Sequence, residues 1–133
     1  MDFLYQDPYP ILKDDTQYKK LTSDYVKVEQ LGDREILVVD PKGLELLAQE
    51  AMDDVSFMLR SAHLQKLRNI IEDPEATDND RFVAYNLLQN AVVAVEGQLP
   101  SCQDTGTAIV VAKKGENVYT GVEDGEWLSK GIY

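Results

Sequence analysis

From Tyr25 the chain alternates as Tyr-Val-Lys-Val-Glu-Gln-Leu to Leu31, turns at Gly32-Asp33 and returns from Glu35 to Val39 through Ile36-Leu37-Val38-Val39. A period of two broken by a Gly-Asp pair predicts a β-hairpin. At Asp40-Pro41 the pattern becomes helical. Asp is a good N-cap, and Pro at the first helical position forfeits an N–H that has no partner there anyway. Leu44, Leu47, Ala48, Ala51, Met52, Val55, Met58 and Leu59 then recur with the spacing of one buried helix face. Past Arg60-Ser61 the stripe loses phase, since Leu64, Leu67, Ile70 and Ile71 would point elsewhere on a continued helix. A second helix is expected, capped by Ser61 and ended before Pro74.

Thr77-Asp78-Asn79-Asp80 is a cluster of capping residues, and a third helix is predicted from about Arg81 to Glu96, stopping at Gly97. Its apolar residues, Phe82 to Tyr85, Leu87, Leu88 and Ala91 to Val95, surround most of the circumference, which implies a helix covered on both sides. Ala108 to Ala112 is a short apolar β-rich run, Lys113 to Asn117 a turn, and Val118 to Thr120 a returning strand, so a second, C-terminal hairpin is expected. The tail from Glu123 to Tyr133 starts like a helix around Trp127-Leu128 and has no cap. At the other end, Met1 to Thr22 carries Pro8, Pro10 and several aromatic residues without any period, which suggests an extended arm pinned by its rings. The fold class is α+β, mostly helical, in a single domain spanning residues 1–133.

Composition narrows the function. At 133 residues with 44% hydrophobic and 28% charged positions, the chain suits one soluble domain with a packed core. Its 24 acidic against 13 basic residues, a net charge of −11, repel phosphate backbones and anionic lipid heads, so neither nucleic acid nor membrane is an expected partner. No stretch approaches the roughly 18 consecutive apolar residues of a membrane helix. One cysteine excludes an internal disulfide, and the acidic, proline-punctuated start lacks a signal-peptide pattern, which points to the cytoplasm.

One segment is suited to chemistry: Leu99-Pro100-Ser101-Cys102-Gln103-Asp104-Thr105-Gly106-Thr107, between a helix and an apolar run. Cys102 offers a thiolate as nucleophile or metal ligand. Gln103 and Asp104 add an amide and a carboxylate, while Gly106 permits close approach of a ligand to the backbone. A polar turn holding an inert cysteine explains the same residues. A cysteine protease is poorly supported, because the sole histidine, His63, lies on a predicted helix with nothing directing it to Cys102. Lys113-Lys114-Gly115 lacks the preceding glycines of a phosphate loop and reads as a turn, and the acidic pairs Asp14-Asp15 and Asp53-Asp54 read as solvated faces.

The run Leu-Pro-Ser-Cys-Gln-Asp-Thr-Gly-Thr-Ala, followed by the apolar run and Lys-Lys-Gly, resembles the first cluster-ligand segment of the class I, iron-sulfur-dependent fumarate hydratases. The likeness extends upstream through Ser56-Phe57-Met58-Leu59-Arg60, Ala62-His63 and Asp73-Pro74-Glu75-Ala76 to Lys13-Asp14-Asp15-Thr16, and so spans nearly the whole chain. The same core is similar to the α part of tartrate dehydratases, and the upstream matches favour fumarase. The resemblance implies a hydro-lyase interconverting fumarate and (S)-malate at a four-iron four-sulfur cluster, with three cysteine thiolates holding three irons and the fourth iron acting as a Lewis acid. It implies that Cys102 is the first of those ligands, that Gln103 hydrogen-bonds the substrate, and that Asp104 binds it and takes part in proton transfer.

Family members are several times longer, and the resemblance places the two other cluster cysteines, the basic residues facing the dicarboxylate and a second catalytic residue beyond Tyr133. The expectation is therefore an N-terminal piece of the enzyme, inactive and without a cluster on its own, that packs against the remainder and forms a homodimer. An interaction module in which Cys102 is incidental is the competing reading. Apolar surface around Trp127 and Ile132 is the expected site of self-association.

Overall fold

The computed structural model describes residues 3–7, 17–101 and 107–133. β1 (Val26–Leu31) and β2 (Arg34–Val39) pair antiparallel from Val26 opposite Val39 to Leu31 opposite Arg34. The two-residue turn has Gly32 at φ 64°, the left-handed backbone that a tight hairpin places at its first central residue. α1 (Pro41–Phe57) follows at once, with the Asp40 carboxylate accepting the Lys42 N–H at 2.9 Å. Gly43 lets its first turn lie against the hairpin: a Cβ there would stand 3.0 Å from the Tyr25 Cβ.

α2 (Ser61–Glu72) begins after an extended link holding Met58 and Leu59, so the loss of phase at Arg60-Ser61 does mark two helices. The cap falls one residue earlier than expected. Arg60 keeps extended backbone and its carbonyl already accepts the Leu64 N–H at 3.1 Å, which makes Ser61 the first helical residue. α3 (Asp78–Ala94) likewise starts ahead of Arg81. Thr77 is the N-cap in a reciprocal capping box with Asp80, and Asp78 and Asp80 occupy the first turn, where the helix dipole favours negative charge. Gly97, at φ 77°, turns the chain out of the helix as expected.

The second hairpin does not form. Residues 107–115 contain no strand, and β3 (Val118–Tyr119) instead joins the far edge of β2 in parallel, Leu37 opposite Val118, with the Leu37 N–H reaching the Asn117 carbonyl at 2.8 Å. The open edge of β2 offers an ordered ladder that the exposed Ile109, Val110 and Val111 do not. The tail is a full helix, α4 (Asp124–Ile132), lying along α1. Gly131 permits this approach, for a Cβ there would sit 2.1 Å from the Glu45 carbonyl oxygen. The α+β class and its three main helices stand.

Large side chains fill little of the interior. Among the described residues the buried apolar set is Ala48, Leu67, Ala84 and Ala94, with α2 packed on α3 and α1 on α4. α3 is not covered on both sides: it buries alanines and exposes Phe82, Tyr85, Val92 and Val93. Among the described residues of the arm, Phe3, Tyr5 and Tyr18 are exposed rather than buried, and the Asp7 carboxylate accepts from Lys113 Nζ at 2.8 Å. Trp127 and Ile132, expected on open surface, are half-buried in α4. No helix among the described residues is long and apolar enough to cross a membrane.

Candidate functional site

Ser101 is the residue at which the chemistry-bearing segment leaves the described fold. It is 7% exposed, although it follows a loop and carries a hydroxyl. Its burial has a local cause at the end of α1. The last carbonyls of a helix have no partner inside it. That of Asp54 is taken by the Met58 N–H at 2.8 Å, and that of Ser56 by Ser101, whose N–H donates at 2.7 Å and whose Oγ donates at 3.1 Å. The Ser56 hydroxyl turns back into its own helix and donates to the Met52 carbonyl at 2.7 Å.

Beside Ser101 opens a cavity of about 460 Å³. Val55, Met58, Leu67 and Leu87 form apolar walls, and Arg60, His63 and Asn90 supply polar groups. Three elements contribute: the end of α1 with its extended link, the first turns of α2, and the middle of α3. Two basic side chains thus share a wall with Ser101, in a chain whose net charge is −11. A partly apolar recess with a guanidinium, an imidazole and an amide on its wall has the mixed lining of a small-molecule site.

Cys102, Gln103 and Asp104 lie outside the described residues, as do Thr105 and Gly106, and Asp14-Asp15 in the arm. Among the described residues no group of three or more His, Cys, Asp or Glu side chains could hold a metal ion. The chain carries one thiol, where an iron-sulfur cluster takes several thiolates, so it holds a fraction of such a ligand set. His63, which the sequence leaves unconnected to Cys102, is exposed on α2 and lines the same cavity as Ser101. Arg60, in the link before α2, lines it as well. The signal available was their presence in the block from Ser56 to His63 that accompanies the cysteine motif in the resemblance.

A larger cavity of about 690 Å³ lies between the hairpin, α1 and α4. Its apolar wall includes Leu44, Leu47, Val118 and Leu128, and three of its polar members, Lys114, Thr120 and Asp124, bond one another. Lys114 Nζ donates to Asp124 and, at 3.3 Å, to Thr120 Oγ1, which itself donates to Asp124. These bonds hold the Asp124 carboxyl below the ordinary aspartate range, Lys114 contributing most. The Lys113-Lys114-Gly115 turn is therefore structural: its lysines brace the arm and the start of α4.

A family model described as Fumarate hydratase (Fumerase) matches residues 45–133, a range that includes the cysteine motif and both walls of the smaller cavity. The chain is 54% identical over 131 residues to the anaerobic class I fumarate hydratase of Escherichia coli K12, covering 98% of this chain and 24% of that protein. It is 52% identical, again over 131 residues, to the aerobic class I fumarate hydratase of Salmonella typhimurium, 23% of which is covered. A mitochondrial fumarate hydratase 1 of Leishmania major is 51% identical over 121 residues, 90% of this chain. The chain spans about a quarter of the length of these curated relatives.

Proposed function

The chain belongs to the fumarate hydratase family, and from that premise we propose that it forms the N-terminal part of an iron-sulfur hydro-lyase interconverting fumarate and (S)-malate. The observation that carries this is the 131-residue match at 54% identity, which runs through Cys102-Gln103-Asp104-Thr105-Gly106-Thr107. Cys102 contributes one thiolate to a four-iron four-sulfur cluster. Gln103 orients a substrate carboxylate, and Asp104 binds the substrate and moves a proton. The residue types suit these roles, with soft sulfur for iron, a neutral amide donor for a carboxylate, and a group able to change protonation. The named relatives being fumarate hydratases favours fumarate over tartrate as the substrate class.

The remaining ligands and most of the active site come from polypeptide beyond the match, which makes that polypeptide the first partner of residues 1–133. A homodimer and a cytoplasmic location belong to the same reading, the latter because a reducing compartment keeps the single thiol available. In isolation the chain neither assembles the cluster nor hydrates fumarate. Anaerobic reconstitution with iron and sulfide provides the test, and the expected result is no stoichiometric cluster absorbance and no malate. A stoichiometric cluster with malate formation would overturn it.

A further inference from the structure

We propose that the open face of α3 is the docking surface for the polypeptide that lies beyond residues 1–133 in a full-length fumarate hydratase, an inference that rests on the family reading above. From Phe82 to Val95 no residue is charged, although 28% of the chain is. A helix whose outer side meets water carries charged residues there, whereas one apolar all round is buried. α3 is covered on one side only. Ala84 and Ala94 are buried on the side that packs toward α2 and α1. At 3.6 residues per turn, Phe82, Tyr85, Gln89, Val92 and Val93 form a stripe roughly opposite them. Phe82 is 66% and Val92 68% exposed. The polar groups of this face bond within the helix, Gln89 Nε2 donating to the Tyr85 hydroxyl at 3.0 Å and the adjacent Asn86 Nδ2 to the Phe82 carbonyl at 2.7 Å. An apolar cover leaves those bonds in place.

Length and area identify the occupant. The chain covers 24% of the Escherichia coli anaerobic enzyme, so about three quarters of that protein lies outside the match. From Phe82 to Val93 the stripe is about 17 Å long and about 10 Å wide, a footprint of roughly 170 Å², whereas each partner of a stable complex covers about 800 Å². A second copy also brings the same net charge of −11. Polypeptide of the same chain needs no such area, because its tether holds it at an effective concentration of about millimolar. Self-association of the isolated chain is then a weak substitute for that cover.

The test uses the Escherichia coli anaerobic enzyme with its matching stretch replaced by residues 1–133. A soluble diazirine is photolysed with the protein, and its carbene labels exposed side chains without any substitution in the chain. Label on Phe82 and Tyr85 is expected to fall about tenfold from the dilute isolated chain to the chimera, as 66% exposure at Phe82 gives way to the few per cent of a covered side chain. Benzoylphenylalanine in place of Tyr85 then identifies the cover. Its photolysis is expected to form a link to polypeptide outside residues 1–133, within one chain and so at unchanged mass on a denaturing gel. Undiminished label at Phe82 overturns the proposal, as does a link to residues 1–133 or a link that doubles the mass and so reveals a second copy. Iron bound by the same chimera reports separately on the cluster reading, so either reading can fail while the other stands.

Discussion

Thr77 and Asp80 close the start of α3 on each other, the hydroxyl accepting the Asp80 N–H at 3.2 Å and the carboxylate accepting the Thr77 N–H at 3.0 Å. Thr77→Ala is expected to cost about 1 kcal/mol, read as a lower urea midpoint. The Thr77 hydroxyl, donating to the Asp80 carboxylate at 2.6 Å, and then the Thr77 N–H hold that carboxyl below its ordinary value, as Lys114 and Thr120 do for Asp124. A carboxyl depressed in the folded chain stabilises it fully above the unfolded value, about 3.9, and that contribution is lost as pH falls through the lower folded value. Urea midpoints taken from neutral pH downwards are therefore expected to fall in this acid range, and Asp124→Asn to make the fall shallower. Although the Ser61 cap expected for α2 was not found, the caps of α1 and α3 and the cysteine motif were legible because each is written in neighbouring residues. The sharing of one cavity wall by His63, Arg60 and Ser101 was not, because it depends on the chain returning to the end of α1 after the whole of α2 and α3.

Helices and the first hairpin follow from their periods, and the differences among elements arise where two segments compete for one partner. The apolar run from Ala108 to Ala112 and the run at Val118 looked like mates, yet only Val118–Tyr119 reaches the ladder, because β2 presents a free edge to it. The tail gave no sign of its importance. Gly131 is the contact point of α4 on α1, with the Ala48 Cβ 2.9 Å and the Glu45 carbonyl oxygen 2.1 Å from where a Cβ would be. Since the near atom is backbone, Gly131→Ala must push the helices apart and is expected to destabilise by about 2 kcal/mol. Trp127 in α4, with Lys130 Nζ 4.0 Å from its ring centroid, provides the readout. A fluorescence change at lower urea than the native transition is the expected result.

At the scale of the molecule the chain exposes 11445 Å², against roughly 7,000 Å² for a compact monomer of its mass, 15.0 kDa. Exposed apolar side chains on α3 and at residues 109–111 are part of that surface. Such surface associates in water. Concentration-dependent self-association is expected in sedimentation velocity, weakened by combining Phe82→Glu with Val92→Lys on the open face of α3. The net charge of −11 disfavours nucleic acid as a partner, and Arg60 and His63 stand together on the wall of the recess beside Ser101. The role proposed for Cys102 is that of a cluster ligand in a fumarate hydratase. It is tested most directly by replacing the matching stretch of the Escherichia coli anaerobic enzyme with residues 1–133 and measuring iron per chain after anaerobic purification, with and without Cys102→Ser. The expected result is a cluster-loaded chimera that loses its cluster absorbance with the thiol. A Cys102→Ser chimera holding the same iron and the same absorbance would contradict the account.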